Sequence, residues 1–200
     1  MRIALSLAAA SVACALAAPA AAHESVYEAP LLGTSETPPN ASPATGFARV
    51  TIDFDLFTMR VEASFSGLTG VTTASHIHCC TATPHTGNIG VATQLPSFSG
   101  FPLGVTSGTY DHTFDMSLAS SYNTTAGAFY DANGGTPATA FNALVAGLDA
   151  GKAYLNIHTR TFLGGEIRGL LAPVPEPATY ALMLGGLGLV GWAARRRQRA

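Results

Sequence analysis

The sequence predicts a mainly β domain, an antiparallel β-sandwich or barrel with one short helix. A signal peptide precedes it and a C-terminal transmembrane helix follows. Three observations carry that expectation. Two neighbouring stretches alternate apolar and polar residues with a period of two, which is the signature of a half-buried strand. Glycine and proline, 21 and 12 of the 200 residues, break the chain too often for long elements. Outside the termini, apolar residues recur with helical spacing in one place only, residues 136–148.

Taken in order, the chain opens with Arg2 and an Ala/Leu/Val-rich apolar run to Ala18, followed by Pro19 and Ala20-Ala21-Ala22. This is the charge, core and small-residue site of a secretory signal, which assigns residues 1–22 to the signal peptide and starts the mature chain at His23. Residues 26–32 form a short strand, and residues 34–45, with Pro38, Pro39 and Pro43, form a loop. In residues 47–54, Ala48, Val50, Ile52 and Phe54 alternate with Phe47, Arg49, Thr51 and Asp53. In residues 59–65, Met59, Val61, Ala63 and Phe65 alternate with Arg60, Glu62 and Ser64. The link between them is short, so the two make an antiparallel hairpin.

Ser75-His76-Ile77-His78 is a further short strand, after which residues 87–104 are irregular. Alternation returns in residues 105–118, with Tyr110, His112, Phe114 and Met116 on one face. Ala140, Phe141, Leu144, Val145 and Leu148 then mark one side of the helix, and Gly151 stops it. Tyr154 to Thr159 alternates again, Gly164-Gly165 allows a reversal, and the return strand carries Glu166 and Arg168, for which a cross-strand ion pair is expected ahead of a ligand contact.

Charged residues make up 11% of the chain, against roughly 25% in an average soluble domain. With a net charge of -2, no field argues for nucleic acid. Residues 23–172, about 150 of them, suffice for one domain with a real core and not for two. No G-x-S-x-G, H-E-x-x-H or P-loop pattern occurs and no nucleophile–base set can be assembled, so an enzyme is not expected. Asp131-Ala132-Asn133-Gly134 begins like a calcium loop, but Asn142 stands where such a loop needs glutamate, which favours a simple turn.

Residues 173–200 form a separate segment. Val174-Pro175-Glu176-Pro177 precedes an apolar run over 178–194, and Arg195, Arg196, Arg197 and Arg199 close the chain. A helix of ~17 residues covers ~25 Å, enough for a bilayer core with snorkelling ends. The arginines place the tail in the cytoplasm and the domain outside it. This order resembles the PEP-CTERM sorting signal of Gram-negative bacteria. The resemblance implies recognition by an exosortase-type membrane protease, cleavage near Pro175, Glu176 and Pro177, and delivery to the cell surface or matrix. The membrane, through the C-terminal helix before processing, and extracellular polysaccharide are the further expected partners.

The order of motifs in the body also resembles a family. L-L-G-T-S-E-T-P-P from Leu31, A-T-G-F-A-R-V-T-I-D from Ala44, S-H-I-H from Ser75, Y-L-N-I-H-T from Tyr154 and G-G-E-I-R-G from Gly164 are similar to the chordin-type CHRD domain, from about Tyr27 to Leu171. That resemblance implies a secreted β-rich domain without established enzymatic activity. Cys79-Cys80 directly after His78 departs from the usual pattern.

His76 and His78, two apart on a strand, project to one face, and His158 from a distant strand supplies a third imidazole. Two histidines from one strand and one from another suit copper or zinc, so a metal-binding protein or metal-dependent oxidoreductase is the alternative to a non-catalytic surface module. The opposing expectation is that these histidines hydrogen-bond within the sheet and set its register. Cys79 and Cys80, the only cysteines of the mature chain, are expected as a vicinal disulfide in an oxidising compartment, with soft-metal ligation as the other option.

Overall fold

The computed structural model describes residues 23–175, 185–187 and 195. The expected signal peptide, residues 1–22, lies outside them, as do Glu176, Pro177 and all but Gly185–Leu187 of the expected spanning helix. Among the described residues no helix is long and apolar enough to cross a membrane.

Eight strands form one antiparallel sheet: β1 (Glu24–Leu32), β2 (Thr45–Asp53), β3 (Thr58–Ser66), β4 (Thr72–His78), β5 (Gly108–Asp115), β6 (Tyr154–Thr159), β7 (Ile167–Leu170) and β8 (Ala172–Pro173). Their order is β4-β6-β7-β1-β2-β3-β5, with β8 added beside β1. The result is a single sheet curled into a half-barrel, rather than the two sheets of a sandwich or a closed barrel. Period-two alternation shows that one face is buried, but it is blind to whether the sheet splits, closes or stays open.

The expected hairpin is present in full. β2 and β3 pair from Thr45↔Ser66 to Asp53↔Thr58, and β1 pairs with β2 from Glu24↔Asp53 to Leu32↔Thr45. At the turn, Asp53 Oδ1 accepts from the amides of Asp55 and Leu56 at 2.9 and 2.8 Å, the self-capping that aspartate favours. Residues opposite one another share a face, so Ala48, Val50, Ile52, Met59, Val61 and Phe65 line the inner side with Tyr27, Ala29 and Leu31. On the outer side Arg60 holds Asp111 of β5 through two hydrogen bonds, in solvent.

The open side of the half-barrel is filled by a helix. Here α1 denotes Phe129–Ala132, a single turn with no expectation from the sequence, and α2 denotes Pro137–Asp149. Thr136 caps α2 by accepting from the Thr139 amide, and Pro137 occupies the first helical position, where its missing N–H costs nothing. Ala140, Phe141, Leu144 and Leu148 are buried against the sheet, with the Phe141 ring 4.1 Å from that of Phe57. At the other end of α2, Tyr27 Oη donates to Asp149 Oδ1 at 2.6 Å.

β4 is a sheet edge, a liability unless covered. The irregular stretch after it does the covering: the amides of Ala92 and Phe98 donate to the carbonyls of Ile77 and Ser75 at 2.9 and 3.0 Å.

The inner face makes a direct prediction. Val61 is fully buried, whereas Glu62 is partly exposed beside Arg60 at 3.1 Å. Val61→Asp buries an unpaired charge and should abolish the cooperative melt, because that cost rivals a domain margin of ~5–15 kcal/mol. Glu62→Lys should change stability by no more than ~1 kcal/mol. Equal losses in thermal denaturation would mean that β3 is turned the other way.

Candidate functional site

The motif strands β4, β6 and β7 are covered on both faces. Register places Ala74 opposite His158, His76 opposite Asn156, His78 opposite Tyr154 and Asn156 opposite Arg168. All of these therefore lie on one face, the outer one, while Ile77, Leu155 and Ile157 point into the core. The chain brings His76, His78 and His158 together: one ring nitrogen of each lies within 4.8 Å of the others. Among the described residues this is the one such group of histidine, cysteine or acidic side chains.

Each ring is held by a loop carbonyl. His76 Nε2 meets Pro96 O at 2.7 Å, His78 Nδ1 meets Ile89 O at 2.7 Å, and His158 Nδ1 meets Leu163 O at 2.8 Å. A carbonyl only accepts, so the nitrogen facing it carries the proton and the other bears a lone pair. Those other nitrogens, His76 Nδ1, His78 Nε2 and His158 Nε2, are buried without a hydrogen-bond partner. The histidines thus bond to loops rather than within the sheet, and backbone satisfies only one nitrogen of each.

Neighbours on the same face fix the rings. Tyr154 stacks on His78 with centroids 4.7 Å apart and planes 6° from parallel. The Arg168 guanidinium carbon lies 4.5 Å from the Tyr154 ring centre. Burial holds His76 down at about 4 and lowers His78 and His158 too, so all three rings are neutral at neutral pH. Burial pushes Glu36 the opposite way, up to about 7, against the pull of Arg168.

Glu166 and Arg168 do not pair with each other, contrary to the expectation from the sequence. Glu166, fully buried, accepts from Ser42 Oγ at 2.7 Å, Thr69 N at 2.6 Å, Thr69 Oγ1 at 2.9 Å, Gly70 N at 3.2 Å and Thr159 Oγ1 at 2.7 Å. Burial alone would raise its pKa, but these bonds reverse the effect and lower it. Arg168 turns outward instead, donating to Ser35 O, Thr37 Oγ1, Gly87 O and Asn88 Oδ1, with Glu36 Oε2 at 3.8 Å. The glycines of the motif make room: a Cβ on Gly165, at φ 129°, would sit 2.4 Å from Glu36 Oε1, and one on Gly169 2.6 Å from Ala29 Cβ.

Cys79 and Cys80 are bonded to each other, outside the histidine group. They press on α2, where a Cβ at Gly147 would lie 2.2 Å from Cys79 Sγ. Asp131 Oδ2 accepts from the Gly127 amide at 3.1 Å, a local turn contact. Sequence reasoning gave no role to Glu36, Tyr154 or Asn156. Stepping back by two from His158 places Asn156 and Tyr154 on its face, and that signal was available.

The fold is that of an all-antiparallel half-barrel with a loop-covered polar layer on one outer face. The chain belongs to the CHRD domain family, whose model matches residues 27–171. A second model, the PEP-CTERM protein-sorting motif, matches residues 173–197. No curated protein and no solved structure matches the chain significantly. The two family matches mark an extracellular protein exported in Gram-negative bacteria and recognised by an exosortase.

Two predictions follow from the charges of this region. Glu166→Gln replaces a carboxylate serving five donors by a single acceptor oxygen, and should cost about 1–3 kcal/mol in urea denaturation for each buried donor left unsatisfied. Asp111→Asn, in the solvent-exposed pair with Arg60, should leave the urea midpoint nearly unchanged. Similar losses would show that the Glu166 network is not structural.

For pH, the unfolded chain takes up protons below the ordinary histidine value of 6.5 that folded His76 refuses until about 4. Stability is therefore fully present above that window and falls as the pH drops through it. Glu36, acting in the opposite sense between 4.5 and about 7, offsets one of the three histidines. The melting temperature should fall from pH 7.5 to 5, and His76→Gln should flatten the slope by one proton, ~1.4 kcal/mol per pH unit. An unchanged slope would mean that His76 is not held neutral by the fold.

Proposed function

We propose that this protein is a non-catalytic surface or matrix module, held in the membrane by its C-terminal segment and released by exosortase cleavage near Pro175. The observation that carries this reading is where the folded body ends. β8 closes on β1 at Tyr27↔Pro173, and among the described residues the last backbone bond to the sheet runs from the Val174 amide to Val26 O at 2.8 Å. Pro175 is exposed. A protease acting at Pro175 cuts after the closing bonds of β8, so processing there leaves the whole domain folded.

The absence of any recognisable nucleophile–base set in the sequence supports a binding or structural role over catalysis. Extracellular polysaccharide is the partner class that fits a matrix destination. Replacing Pro175, Glu176 and Pro177 by alanine should leave an uncleaved, full-length form in the membrane fraction, while the native chain appears as a shorter form outside it. An identical processed form from both chains would show that the segment is a plain anchor.

A further inference from the structure

We propose that His76, His78 and His158 bind one copper or zinc ion, through Nδ1, Nε2 and Nε2 respectively. The site goes beyond the surface-module reading and does not depend on it. Three buried imidazole nitrogens of one small cluster lack any hydrogen-bond partner. Buried acceptors are normally satisfied, and three orphans in one place require a common explanation. Their tautomers supply it, because the carbonyls of Pro96, Ile89 and Leu163 hold the proton on the opposite nitrogen and leave each lone pair free. A carbonyl behind the imidazole is the outer-sphere partner that orients histidine ligands in metal proteins.

The distances fit after a small adjustment. Three nitrogens at ~2.0–2.1 Å from one ion stand about 3.3–3.6 Å apart. Here they lie within 4.8 Å of one another, so modest ring rotations close the set. The donors select the metal class. Neutral imidazoles with no carboxylate or water-like oxygen among them do not suit calcium or magnesium, and suit copper and zinc. The sulfurs of Cys79 and Cys80 are bonded to each other and add no thiolate. Asn156 Oδ1, a further buried acceptor without a partner, stands on the same face opposite His76.

The test uses the full chain, extracted in mild detergent from the envelope of an exporting Gram-negative host and stripped with a chelator. Zn2+, or Cu+ supplied anaerobically, is added in separate arms, and metal per chain is measured after gel filtration. One ion per chain is expected in at least one arm, with X-ray absorption counting three imidazole nitrogens at ~2.0–2.1 Å. His76→Gln and His158→Gln should weaken binding by more than the ~10–100-fold of an outer-sphere change, and His112→Gln, on β5, should not. Retention of neither metal, equal retention by the triple glutamine variant, or fewer than three imidazoles around the ion overturns the proposal. Should the variants fail to fold, the imidazole count on the native chain decides alone. The chain with Pro175, Glu176 and Pro177 replaced by alanine should bind equally, so loss of sorting and loss of metal are read independently.

Discussion

A carboxylate in the interior is the constraint around which this domain closes. An ion removed from water costs several kcal/mol unless its lone pairs are all met, and Glu166 is fully buried. Its five donors come from the loop before β2, the loop between β3 and β4, and the end of β6. Each of these segments must be in place before the charge is satisfied. A residue that punishes incomplete closure so heavily acts as a latch on the long-range contacts. Arg168, two residues on, repeats the logic on the other side by gathering Ser35, Thr37, Gly87 and Asn88. The G-G-E-I-R-G sequence is thus a latch pointing two ways, with Gly165 and Gly169 where neighbouring atoms leave no room for a Cβ.

The two-sided burial of β6 follows from that latch. Strands in an open antiparallel sheet normally show water to one face, as β2 and β3 do with Arg49, Arg60 and Glu62. At β4, β6 and β7 the outer face is roofed by loops, one of which Arg168 holds down at Gly87 and Asn88 beside Ile89. Under that roof the face stays polar, carrying three histidines, a tyrosine, an asparagine and an arginine. A buried polar layer is tolerated only where its groups are paired. Most are, through loop carbonyls and ring stacking. The three imidazole lone pairs and Asn156 Oδ1 are the exceptions, and a family of orphans in one place is what sets this layer apart from a structural hydrogen-bond network.

How much of this was legible in the sequence depends on periodicity. The β2–β3 hairpin, the inward face of Met59, Val61 and Phe65, and the helix carrying Phe141 and Leu144 were readable because each repeats at a strand or helix period. The shared face of His76 and His78 was readable for the same reason, since i and i+2 share a face, whereas His158 joins them only through the pairing of β6 with β4. What had no period was not readable. Glu36, Ser42 and Asn88 sit in loops, and nothing in their spacing announces that they meet Glu166 or Arg168. For that reason a short-range ion pair between Glu166 and Arg168 looked sufficient, whereas each reaches across 80 residues or more to other partners. The single turn of α1 is too short to carry a pattern. Whether the sheet opens, closes or splits was equally hidden, because alternation reports one buried face and not what lies across from it.

The disulfide adds the last link between the helix and the histidine layer. His78 and Cys79 are adjacent, yet the strand pleat turns them apart, His78 to the roofed outer face and Cys79 into the core. The bonded sulfurs seat against α2 at Gly147, and Cys80 Sγ reaches Ala143 O at 3.6 Å. A Cβ at Gly147 would strike both sulfurs. The chain leaving β4 is therefore pinned to α2 before it loops back to Ile89, whose carbonyl holds the His78 ring. A bond between neighbours closes almost no loop and does little through chain entropy. Its effect is local, giving the exit of β4 one direction, and that direction places the roof over the histidines.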